Sequence, residues 1–453
     1  MPKKSLQNEV VTRFPPSPTG NLHIGAARTA LFNWLFAKHH DGRVVLRFED
    51  TDVARSDKKY AENIKEGLEW LGIDYDGPYW QSERTDIYKG YIEKLLESGA
   101  VYVSDESKSE GDRDEVIRFK NPNKIITFED MIRGEISVDT TDLGDFVIAK
   151  SVDEPLYHLA VVVDDHEMGI TNVIRGDEHI ANTPRQLLLL EAMEVTPPTY
   201  AHIPLILGDD GKKLSKRHGA TGLDVYRDMG VLPEGMINYL SLLGWHPSDD
   251  QEIFTPKELI AAFTIDRVQK SPATFSKEKL RWVNRQHILE MTEEEFYDEV
   301  KGQIPADITK LPQYHLDRVR ASLPIFRERI ELLSDIVEMA EAGEMEFLFE
   351  APDYGAGDIA WKDDTPEETA SYLQKVADLL DAVPADDFAT ELVKDAVWDY
   401  ASEIGRGNVL WPTRFALSGQ KQSPGPFMIA TAIGKEETVS RLQTAISKLK
   451  DES

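Results

Sequence analysis

Short apolar segments and amphipathic segments alternate near the start of the chain. Residues 9–14 are a β-branched apolar run that stops at a loop rich in proline and glycine, residues 15–20, which predicts a buried strand entering a rigid loop. Apolar residues recur at helical spacing over residues 25–39, which predicts a helix. Residues 43–48 predict a second strand, and this order of elements predicts a βαβ unit with parallel strands.

A second set of such segments lies further along the chain. We expect strands at residues 157–163, 170–174 and 202–207, with a helix over residues 183–193. Residues 85–150 lie between the two sets and combine a helical segment, a polar stretch and short apolar segments. They predict an α+β insertion that splits one parallel-sheet domain.

The pattern changes after Leu243. Amphipathic helical segments follow one another, separated by prolines, and no alternating strand pattern occurs. The C-terminal half is therefore predicted to be mainly α-helical.

Length and composition limit the class of protein. The chain has 453 residues, 41% of them apolar, which suits about three domains that each bury a core. It has no cysteine, which excludes disulfides, thiolate nucleophiles, iron–sulfur clusters and sulfur-ligated zinc. The sequence shows neither a signal peptide nor an apolar run long enough for a membrane span. We therefore expect a soluble cytoplasmic protein.

Charge bears on the partners of the protein. Lys and Arg number 51 against 81 Asp and Glu, for a formal net charge of −30. That average argues against a nucleic-acid partner, because phosphates are bound through lysine and arginine. The charge is uneven, however: residues 353–403 carry 14 acids and three bases, whereas residues 404–453 carry seven bases and four acids. We expect the acidic stretch to face solvent, away from any bound nucleic acid.

The first chemistry-bearing segment joins the first predicted strand to the first helix. Residues 13–25 read Arg-Phe-Pro-Pro-Ser-Pro-Thr-Gly-Asn-Leu-His-Ile-Gly. Parallel-sheet proteins bind ligands at such turns, where the helix N-terminus faces an anion. Gly25 lets a flat base approach the backbone, and His23 can donate to a phosphoryl oxygen. A connecting loop with a solvated histidine is the alternative explanation.

The second segment is a basic run framed by glycines. Residues 208–219 read Gly-Asp-Asp-Gly-Lys-Lys-Leu-Ser-Lys-Arg-His-Gly and follow an apolar strand. Two ammonium groups and a hydroxyl at the end of a strand can hold a triphosphate. A solvated basic turn is the alternative.

Charged residues also end other predicted strands. Glu49, Asp50 and Asp52 follow the second strand and either form salt-bridged caps or meet the ammonium group of a substrate. Arg175 ends a later strand, where its guanidinium can bind a carboxylate in bidentate fashion. Residues 164–166, Asp-Asp-His, invite a metal site. Consecutive side chains do not converge on one ion, however, so we assign these three residues hydrogen-bonded structural roles.

Together these segments resemble the signatures of the class I aminoacyl-tRNA synthetases. Residues 23–26 (His-Ile-Gly-Ala) and 213–217 (Lys-Leu-Ser-Lys-Arg) are similar to that family's His-Ile-Gly-His and Lys-Met-Ser-Lys-Ser signatures. The resemblance covers nearly the whole chain. The segments that narrow it to bacterial glutamyl-tRNA synthetases are residues 13–26, 47–52, 157–179 and 405–420.

The resemblance implies an α/β fold. The expected architecture is a Rossmann-like class I synthetase catalytic domain split by an α+β insertion, followed by a mainly α-helical stem-contact and anticodon-binding region. The catalytic domain falls at residues 1–84 and 151–212, and the short acceptor-binding insertion at 85–150. The stem-contact domain with the Lys-Leu-Ser-Lys-Arg loop falls at 213–311, and the anticodon-binding region at 312–453.

The resemblance also assigns roles to individual residues. The positions that match glutamate-binding residues are Arg13, Ser17, Glu49, Tyr157 and Arg175. The positions that match the ATP site are His23, Gly25, Lys213, Ser215 and Lys216, of which His23, Lys213 and Lys216 are the catalytic candidates. No residue is assigned to a metal.

The implied activity is that of a glutamate–tRNA ligase, an ATP-dependent aminoacyl-tRNA ligase of protein biosynthesis. L-Glutamate and ATP, with Mg²⁺, would give glutamyl-adenylate and pyrophosphate. The glutamate would then pass to the 3′-terminal adenosine of tRNA-Glu, and charging of tRNA-Gln stays open. We expect a cytoplasmic monomer whose partners are L-glutamate, ATP and tRNA-Glu, without membrane contact.

Other functions remain as alternatives. A glutaminyl-tRNA synthetase shares the signatures but carries β-barrels, which the strand-poor residues 312–453 do not predict. A truncated enzyme that glutamylates a modified base of tRNA-Asp, or a small-molecule nucleotidyltransferase, needs no such C-terminal half. A catalytically inactive tRNA-binding paralogue would not need the charged residues of both signatures.

The sequence departs from the family pattern at three places. Ala26 replaces the last histidine of the first signature, and Val161 stands where some members carry asparagine. Many relatives have a cysteine-rich zinc knuckle in the insertion, but residues 101–118 contain no cysteine and too few histidines to replace it. We therefore predict no structural zinc.

Overall fold

The computed structural model describes residues 9–51, 55–105, 115–208, 210–214 and 222–451. The chain divides into two compact units, one up to Asn284 and one from Arg285. Among the described residues, no helix is long and apolar enough to cross a membrane.

The first unit begins with the βαβ arrangement that the sequence predicts. Its elements are β1 (Val11–Phe14), α1 (Ile24–His39), β2 (Arg43–Phe48), α2 (Lys58–Trp70), β3 (Asp76–Trp80) and α3 (Thr85–Glu97). The three strands form a parallel sheet in the order β1-β2-β3. All of β1 and nearly all of β2 are buried, as is usual for parallel strands covered on both faces.

Buried polar groups fasten α1 to the strands beneath it. Asn33 is fully buried, and its Nδ2 donates to the carbonyls of Thr29 at 2.8 Å and Ile174 at 2.9 Å. The Thr12 hydroxyl donates to the carbonyl of Asn33 at 3.0 Å. These bonds fasten α1 to β1 and to the strand that contains Ile174.

In and just after the insertion, the described residues form β4 (Val101–Asp105), β5 (Glu115–Phe119), β6 (Ile125–Asp130), β7 (Gly134–Asp139), β8 (Phe146–Ser151) and β9 (Glu154–Pro155). The strands β4-β5-β8-β9 form an antiparallel sheet. The sequence predicted only the apolar segments that became β5 and β8. The hairpin of β6 and β7 was missed, although Ile126, Phe128 and Asp130 alternate with exposed residues along β6, which is the period-two signal of a half-buried strand.

Residues 157–163 do not form the predicted strand. They begin a helix, α4 (Tyr157–Glu167), and the prediction was wrong because every position from Leu159 to Asp165 is buried. A continuous apolar run does not distinguish a buried helix from a buried strand. The elements that follow are β10 (Asn172–Gly176), α5 (Thr183–Ala192), β11 (Thr199–Ile203) and β12 (Ile206–Leu207).

Pro204 divides the strand that was predicted at residues 202–207. Proline has no N–H to donate to a neighbouring strand, so β11 ends at Ile203 and β12 begins at Ile206. The strand predicted at residues 170–174 is displaced by two residues, to β10.

A second sheet contains β10, and hydrogen bonds join the start of β10 to the start of β1. Its order is β10-β11-β6-β7, with β10, β11 and β6 parallel and the β6–β7 pair antiparallel. Next to β10, the N–H of Thr171 donates to the carbonyl of Val11 at 2.9 Å, and the N–H of Val11 donates to the Thr171 hydroxyl at 2.9 Å. The carboxyl ends of β1, β2 and β10 therefore open onto one edge, where α/β proteins bind ligands.

The first unit ends with mainly helical structure. Its last elements are α6 (Leu223–Asp228), α7 (Pro233–Leu242), α8 (Pro256–Ala262), β13 (Ala273–Thr274) and α9 (Lys277–Glu290), a helix that contains the division between the units. The two-residue strand β13 pairs with β12.

The described residues of the second unit, 285–451, form helices joined by turns and loops, without strands, which confirms the mainly α prediction. Its helices are α10 (Glu293–Gln303), α11 (Leu316–Ala321), α12 (Leu323–Arg329), α13 (Asp335–Glu341), α14 (Glu346–Phe349), α15 (Pro366–Asp381), α16 (Thr390–Ile404), α17 (Arg406–Ser418), α18 (Pro426–Ile433) and α19 (Lys435–Asp451). Capping boxes start α10 at Thr292 and α15 at Thr365, so local sequence sets where these helices begin.

Candidate active site

A cavity of about 1290 Å³ opens where β1, β2 and β10 end and α1 begins. Eight of the ten predicted site residues line it: Arg13, Ser17, His23, Gly25, Glu49, Tyr157, Arg175 and Lys213. The other two, Ser215 and Lys216, lie outside the described residues. One cavity thus brings together every described residue that the sequence assigned to glutamate or ATP.

Arginines and aspartates form a buried charged cluster behind the cavity. Arg13 donates from Nε to Asp165 at 3.5 Å, and Arg47 donates from Nη1 to the other oxygen of Asp165 at 2.9 Å. Burial opposes the charge of Asp165, but Arg13 and Arg47 outweigh it and lower the pKa of Asp165. Asp164 accepts hydrogen bonds from Gln81 at 2.9 Å, Arg84 at 2.7 Å and Tyr88 at 2.8 Å. The hydrogen-bonded roles predicted for Asp164 and Asp165 are confirmed.

Glu49 is a carboxylate of the cavity wall whose bonding is incomplete. Its side chain is 10% exposed, and Oε1 lies 3.5 Å from Nη2 of Arg47. Within the described part of the chain, this oxygen has no hydrogen-bond partner. Burial raises the pKa of Glu49 to about 7, although Arg47 and Arg13 oppose the rise. An ammonium group brought by a ligand would supply the missing donor.

Arg175 presents a buried guanidinium that no described carboxylate pairs with. It is 5% exposed, and it donates from Nε to Nε2 of His202 at 3.1 Å and from Nη2 to the Thr183 hydroxyl at 2.7 Å. Burial lowers the pKa of Arg175. Because a buried charge is costly without a counter-ion, this side chain is suited to receive an anionic ligand.

Tyr157 and Ser17 add hydroxyl groups to the same wall. The hydroxyl of Tyr157, at the start of α4, lies 3.4 Å from Nδ1 of His179. Burial and then Glu49 raise the pKa of Tyr157, which keeps the hydroxyl protonated. Ser17 is exposed, and its loop is tied to the end of β2 because the N–H of Glu49 donates to the carbonyl of Pro16 at 3.0 Å.

His23 caps the N-terminus of α1. Its Nδ1 accepts the N–H of Ala26 at 3.1 Å, so in the neutral ring the proton is on Nε2, and this nitrogen can donate. Desolvation by the surrounding protein and the charge of Lys213 lower the pKa of His23. A Cβ on Gly25 would lie 3.2 Å from two atoms of the His23 ring, so glycine keeps that ring in place.

Lys213 also lines the cavity. It follows β12 in a tight turn, where Gly208 donates to the carbonyl of Lys212 at 2.8 Å. Its Nζ lies 3.8 Å from Glu178. Past residues 215–221 the chain returns to the first signature, since the N–H of Leu223 donates to the carbonyl of Leu22 at 2.8 Å.

Sequence reasoning did not assign several side chains that support the site, namely Arg28, Arg47, Asp130, Thr183 and His202. Arg28 lines the cavity and donates to the carbonyls of Leu243 at 2.9 Å and Pro204, and burial lowers the pKa of Arg28 to about 10. The position of Arg47 at the end of β2 was a usable signal. Nothing local in the sequence pairs Asp130 with His202.

The site has two chemically different halves. Arg13, Arg175 and Glu49 provide two guanidinium groups and a carboxylate, which suits a ligand that carries carboxylates and an ammonium group. His23, the N-terminus of α1 and Lys213 provide donors and positive charge, which suits phosphates. Among the described residues, no group of three histidine or acidic side chains could hold a metal ion.

Family models match the chain in both units. The model for the catalytic domain of class I tRNA synthetases (E and Q) matches residues 9–111 and 104–282. An anticodon-binding domain matches residues 286–446. The chain belongs to the class I tRNA synthetases.

Full-length relatives narrow the assignment. The glutamate–tRNA ligase of Syntrophobacter fumaroxidans is 40% identical, over 96% of this chain and 98% of that protein. That of Geobacter sulfurreducens is 39% identical, over 98% of this chain and 99% of that protein. A crystal structure of a glutamate tRNA ligase from Elizabethkingia meningosepticum, in complex with its amino acid, superposes with a TM-score of 0.83 and 34% identity, over 98% of this chain and all of that one. Within its class, the chain belongs to the glutamate–tRNA ligase family.

Proposed function

We propose that this chain activates L-glutamate with ATP and transfers the glutamate to the 3′-terminal adenosine of tRNA-Glu. The observation that carries this proposal is the cavity in which, among the described residues, Arg175 has no carboxylate partner and one oxygen of Glu49 has no hydrogen-bond donor. Glutamate has the groups that would complete both: two carboxylates and an ammonium group.

Five residues in the glutamate half of the cavity bind the polar groups of the substrate. Arg13 and Arg175 hold carboxylates, and Glu49 pairs with the ammonium group. Tyr157 and Ser17 contribute hydroxyl groups to the polar edge of the amino acid. Because Arg13 already bonds to Asp165 at 3.5 Å, we assign the larger share of carboxylate binding to Arg175.

The ATP half uses the two signatures. His23 donates from Nε2 to a phosphoryl oxygen, and the base lies against Gly25. Lys213, with Ser215 and Lys216 beyond the described residues, closes on the triphosphate. Mg²⁺ arrives with ATP and neutralises charge on the pyrophosphate.

The reaction needs no nucleophile from the protein. An oxygen of the glutamate α-carboxylate attacks the α-phosphorus of ATP, and pyrophosphate leaves. A ribose hydroxyl of the terminal tRNA adenosine then attacks the carbonyl of glutamyl-adenylate, and AMP leaves. The protein contributes in-line positioning and donors where negative charge develops.

We also propose the division into functional regions. Residues 1–84 and 151–212 form the catalytic domain, 85–150 contact the acceptor end, 213–311 contact the stem, and 312–453 bind the anticodon. The protein acts as a cytoplasmic monomer, holds no structural zinc and contacts tRNA-Glu through locally basic surfaces. The zinc proposal concerns residues 101–118, of which 106–114 lie outside the described part of the chain.

The test of function is aminoacylation of purified tRNA. Labelled glutamate should charge tRNA-Glu, and labelled glutamine should charge neither tRNA-Glu nor tRNA-Gln. Charging with glutamine would favour a glutaminyl-tRNA synthetase, and absence of any charging would favour an inactive paralogue. The same assay on tRNA-Gln decides whether it also receives glutamate.

Lys213 and its neighbour Lys212 provide a matched pair of variants. Lys213→Ala should slow pyrophosphate exchange by about 10² or more, because a donor to the transition state is removed. Lys216→Ala should cause the same loss. Lys212 does not line the cavity, so Lys212→Ala should stay within about threefold of the parent rate. Equal effects of Lys212→Ala and Lys213→Ala would contradict the assignment.

A further inference from the structure

A chain of hydrogen bonds leads from the β6–β7 hairpin to Arg175. Oδ2 of Asp130, the last residue of β6, lies 2.6 Å from Nδ1 of His202. Nε of Arg175 lies 3.1 Å from the other ring nitrogen, Nε2. Thr183 closes a triangle, since its hydroxyl accepts from Arg175 at 2.7 Å and lies 3.2 Å from Nε2 of His202. All four side chains are buried.

The hydrogen-bond partners of the His202 ring determine which of its two nitrogens carries the proton. A guanidinium only donates, so Nε2 must accept from Arg175. Nδ1 must then carry the hydrogen, which it donates to the carboxylate of Asp130. The Thr183 hydroxyl accepts from Arg175 and donates to the carbonyl of His179 at 3.4 Å, which leaves the lone pair of Nε2 to Arg175. Only the neutral ring with its proton on Nδ1 satisfies every partner.

Asp130 is itself held rigidly. Its Oδ1 accepts the N–H groups of Ile132 at 3.0 Å and Arg133 at 2.8 Å, and its Oδ2 accepts that of His202 at 3.1 Å. These bonds come from the turn of the hairpin and from β11. The carboxylate therefore cannot rotate away from the ring without breaking three backbone hydrogen bonds.

We propose that Asp130 and His202 are positioning residues, which hold the guanidinium of Arg175 in the orientation that receives a carboxylate of the substrate. This inference rests on the proposed function, because it takes Arg175 as a glutamate-binding residue. The acceptor at Nε2 replaces the carboxylate partner that a buried arginine usually has. It orients the side chain without neutralising it, so the positive charge stays available to the ligand.

Asp130→Asn tests the tautomer directly. The N–H groups of Ile132 and Arg133 would hold the amide oxygen at the Oδ1 position, which the N–H of His202 also reaches at 3.4 Å. The amide nitrogen would then take the Oδ2 position, lose the bond from that N–H and face Nδ1 of His202. The ring would then carry its proton on Nε2 and meet Arg175 donor to donor. We expect the KM for glutamate to rise about tenfold or more, which corresponds to about 1.4 kcal/mol. The KM for ATP and the kcat at saturating glutamate should stay within about threefold.

Two substitutions of His202 separate positioning from packing. In His202→Asn the amide keeps the bond to Asp130 but offers no acceptor to Arg175, so the KM for glutamate should rise as in Asp130→Asn. In His202→Gln the longer amide can place its oxygen near the Nε2 position, and the KM should return to within about threefold of the parent enzyme. Asp139→Asn, on the same hairpin at an exposed position, is the matched control.

Kinetics are measured as pyrophosphate exchange with tRNA-Glu present, on full-length variants whose Tm matches that of the parent. An unchanged KM for glutamate in Asp130→Asn and His202→Asn would overturn the inference. So would a parallel rise in the KM values for glutamate and ATP. The parent enzyme gives an independent result: if it fails to charge tRNA-Glu, the proposed function is wrong, whatever the variants do.

A measurement on the parent protein does not depend on the folding of variants. The chain has 11 histidines, and ¹⁵N labelling of their rings allows the tautomer of His202 to be read by NMR at neutral pH, with His202→Gln identifying its signals. We expect a neutral ring with the proton on Nδ1. A proton on Nε2, or a doubly protonated ring, would refute the proposal.

Discussion

At the scale of single residues, the role proposed for Glu49 in glutamate binding comes at the expense of the stability of the empty protein. Its pKa of about 7 lies above the ordinary value of 4.5 because of burial. The contribution of Glu49 to stability is therefore fully present below pH 4.5 and is lost as the pH rises through 7. At neutral pH and above, the empty site holds a buried charge that lacks a donor.

Glu49→Gln should consequently separate stability from binding. At pH 8.5 and without glutamate, we expect the variant to unfold with a free energy about 1–3 kcal/mol larger than that of the parent, and this gain should disappear near pH 4.5. Urea denaturation at the two pH values measures the difference. The KM for glutamate should rise at least about tenfold, because an amide does not pair with an ammonium group as a carboxylate does. A gain in stability that is independent of pH would contradict the pKa argument.

The space between Gly25 and the ring of His23 is too small for a side chain. In Gly25→Ala the new Cβ would lie 3.2 Å from Cε1 and Nδ1 of His23, so the ring must shift by a few tenths of an ångström, which weakens its bond to the N–H of Ala26. We expect the KM for ATP to rise about tenfold and the KM for glutamate to change less than about twofold. Gly90→Ala, where a Cβ meets nothing within 4 Å, is the matched control. An effect on glutamate alone would show that His23 does not serve the nucleotide.

The site residues that could be predicted from the sequence differ in one physical respect from those that could not. His23, Gly25 and Arg175 lie where strands end and helices begin, so their surroundings are predictable from local patterns. The pairing of Asp130 with His202 depends on the contact of two strands separated by about 70 residues. Such a long-range contact cannot be predicted from the residues next to either partner in the sequence.

At the scale of elements too, structure that local patterns mark was predictable and structure that they do not mark was not. The first βαβ unit was predictable because amphipathic periodicity and proline-rich loops mark its boundaries. Helix α4 was not, since it is buried from Leu159 to Asp165 and has no polar face to show its period. Burial on all sides erases the signal from which secondary structure is inferred.

Helix α1 depends on a polar bond that its apolar pattern does not reveal. Asn33→Ala would remove the donor to the Ile174 carbonyl at 2.9 Å in a fully buried position. We expect the free energy of unfolding to fall by about 2 kcal/mol, since a buried acceptor loses its partner. Chemical denaturation followed by circular dichroism measures the change. Gln374→Ala, which removes a surface hydrogen bond to Asp378, should change it by less than about 0.5 kcal/mol, and an equally small effect at Asn33 would refute this role.

At the scale of the whole molecule, the net charge of −30 is compatible with a tRNA partner because electrostatic attraction is local. Asp386, Asp387 and Asp395 are exposed in the acidic stretch of residues 353–403. If this stretch lies off the path of the tRNA, its acids act only through the long-range field. That field is screened within about 8 Å at physiological ionic strength.

The triple variant Asp386→Asn, Asp387→Asn, Asp395→Asn tests this placement. We expect tRNA-Glu to associate about two- to fivefold faster at low salt, with no gain at high salt and an unchanged dissociation rate. Stopped-flow fluorescence at two salt concentrations gives both rates. A slower dissociation would mean that these acids lie against the bound tRNA.

One oxygen of Glu49 has no hydrogen-bond donor among the described residues. The protonation of this carboxyl group makes the active site sensitive to pH. Burial raises the pKa of Glu49 to about 7, so the carboxyl group of the empty protein exchanges its proton in the neutral range of pH. An ammonium group bound as proposed would favour the ionised form, so glutamate binding should release protons near neutral pH. The heat of glutamate binding should therefore include the ionisation enthalpy of the buffer, and a lower pH should weaken the binding of the amino acid.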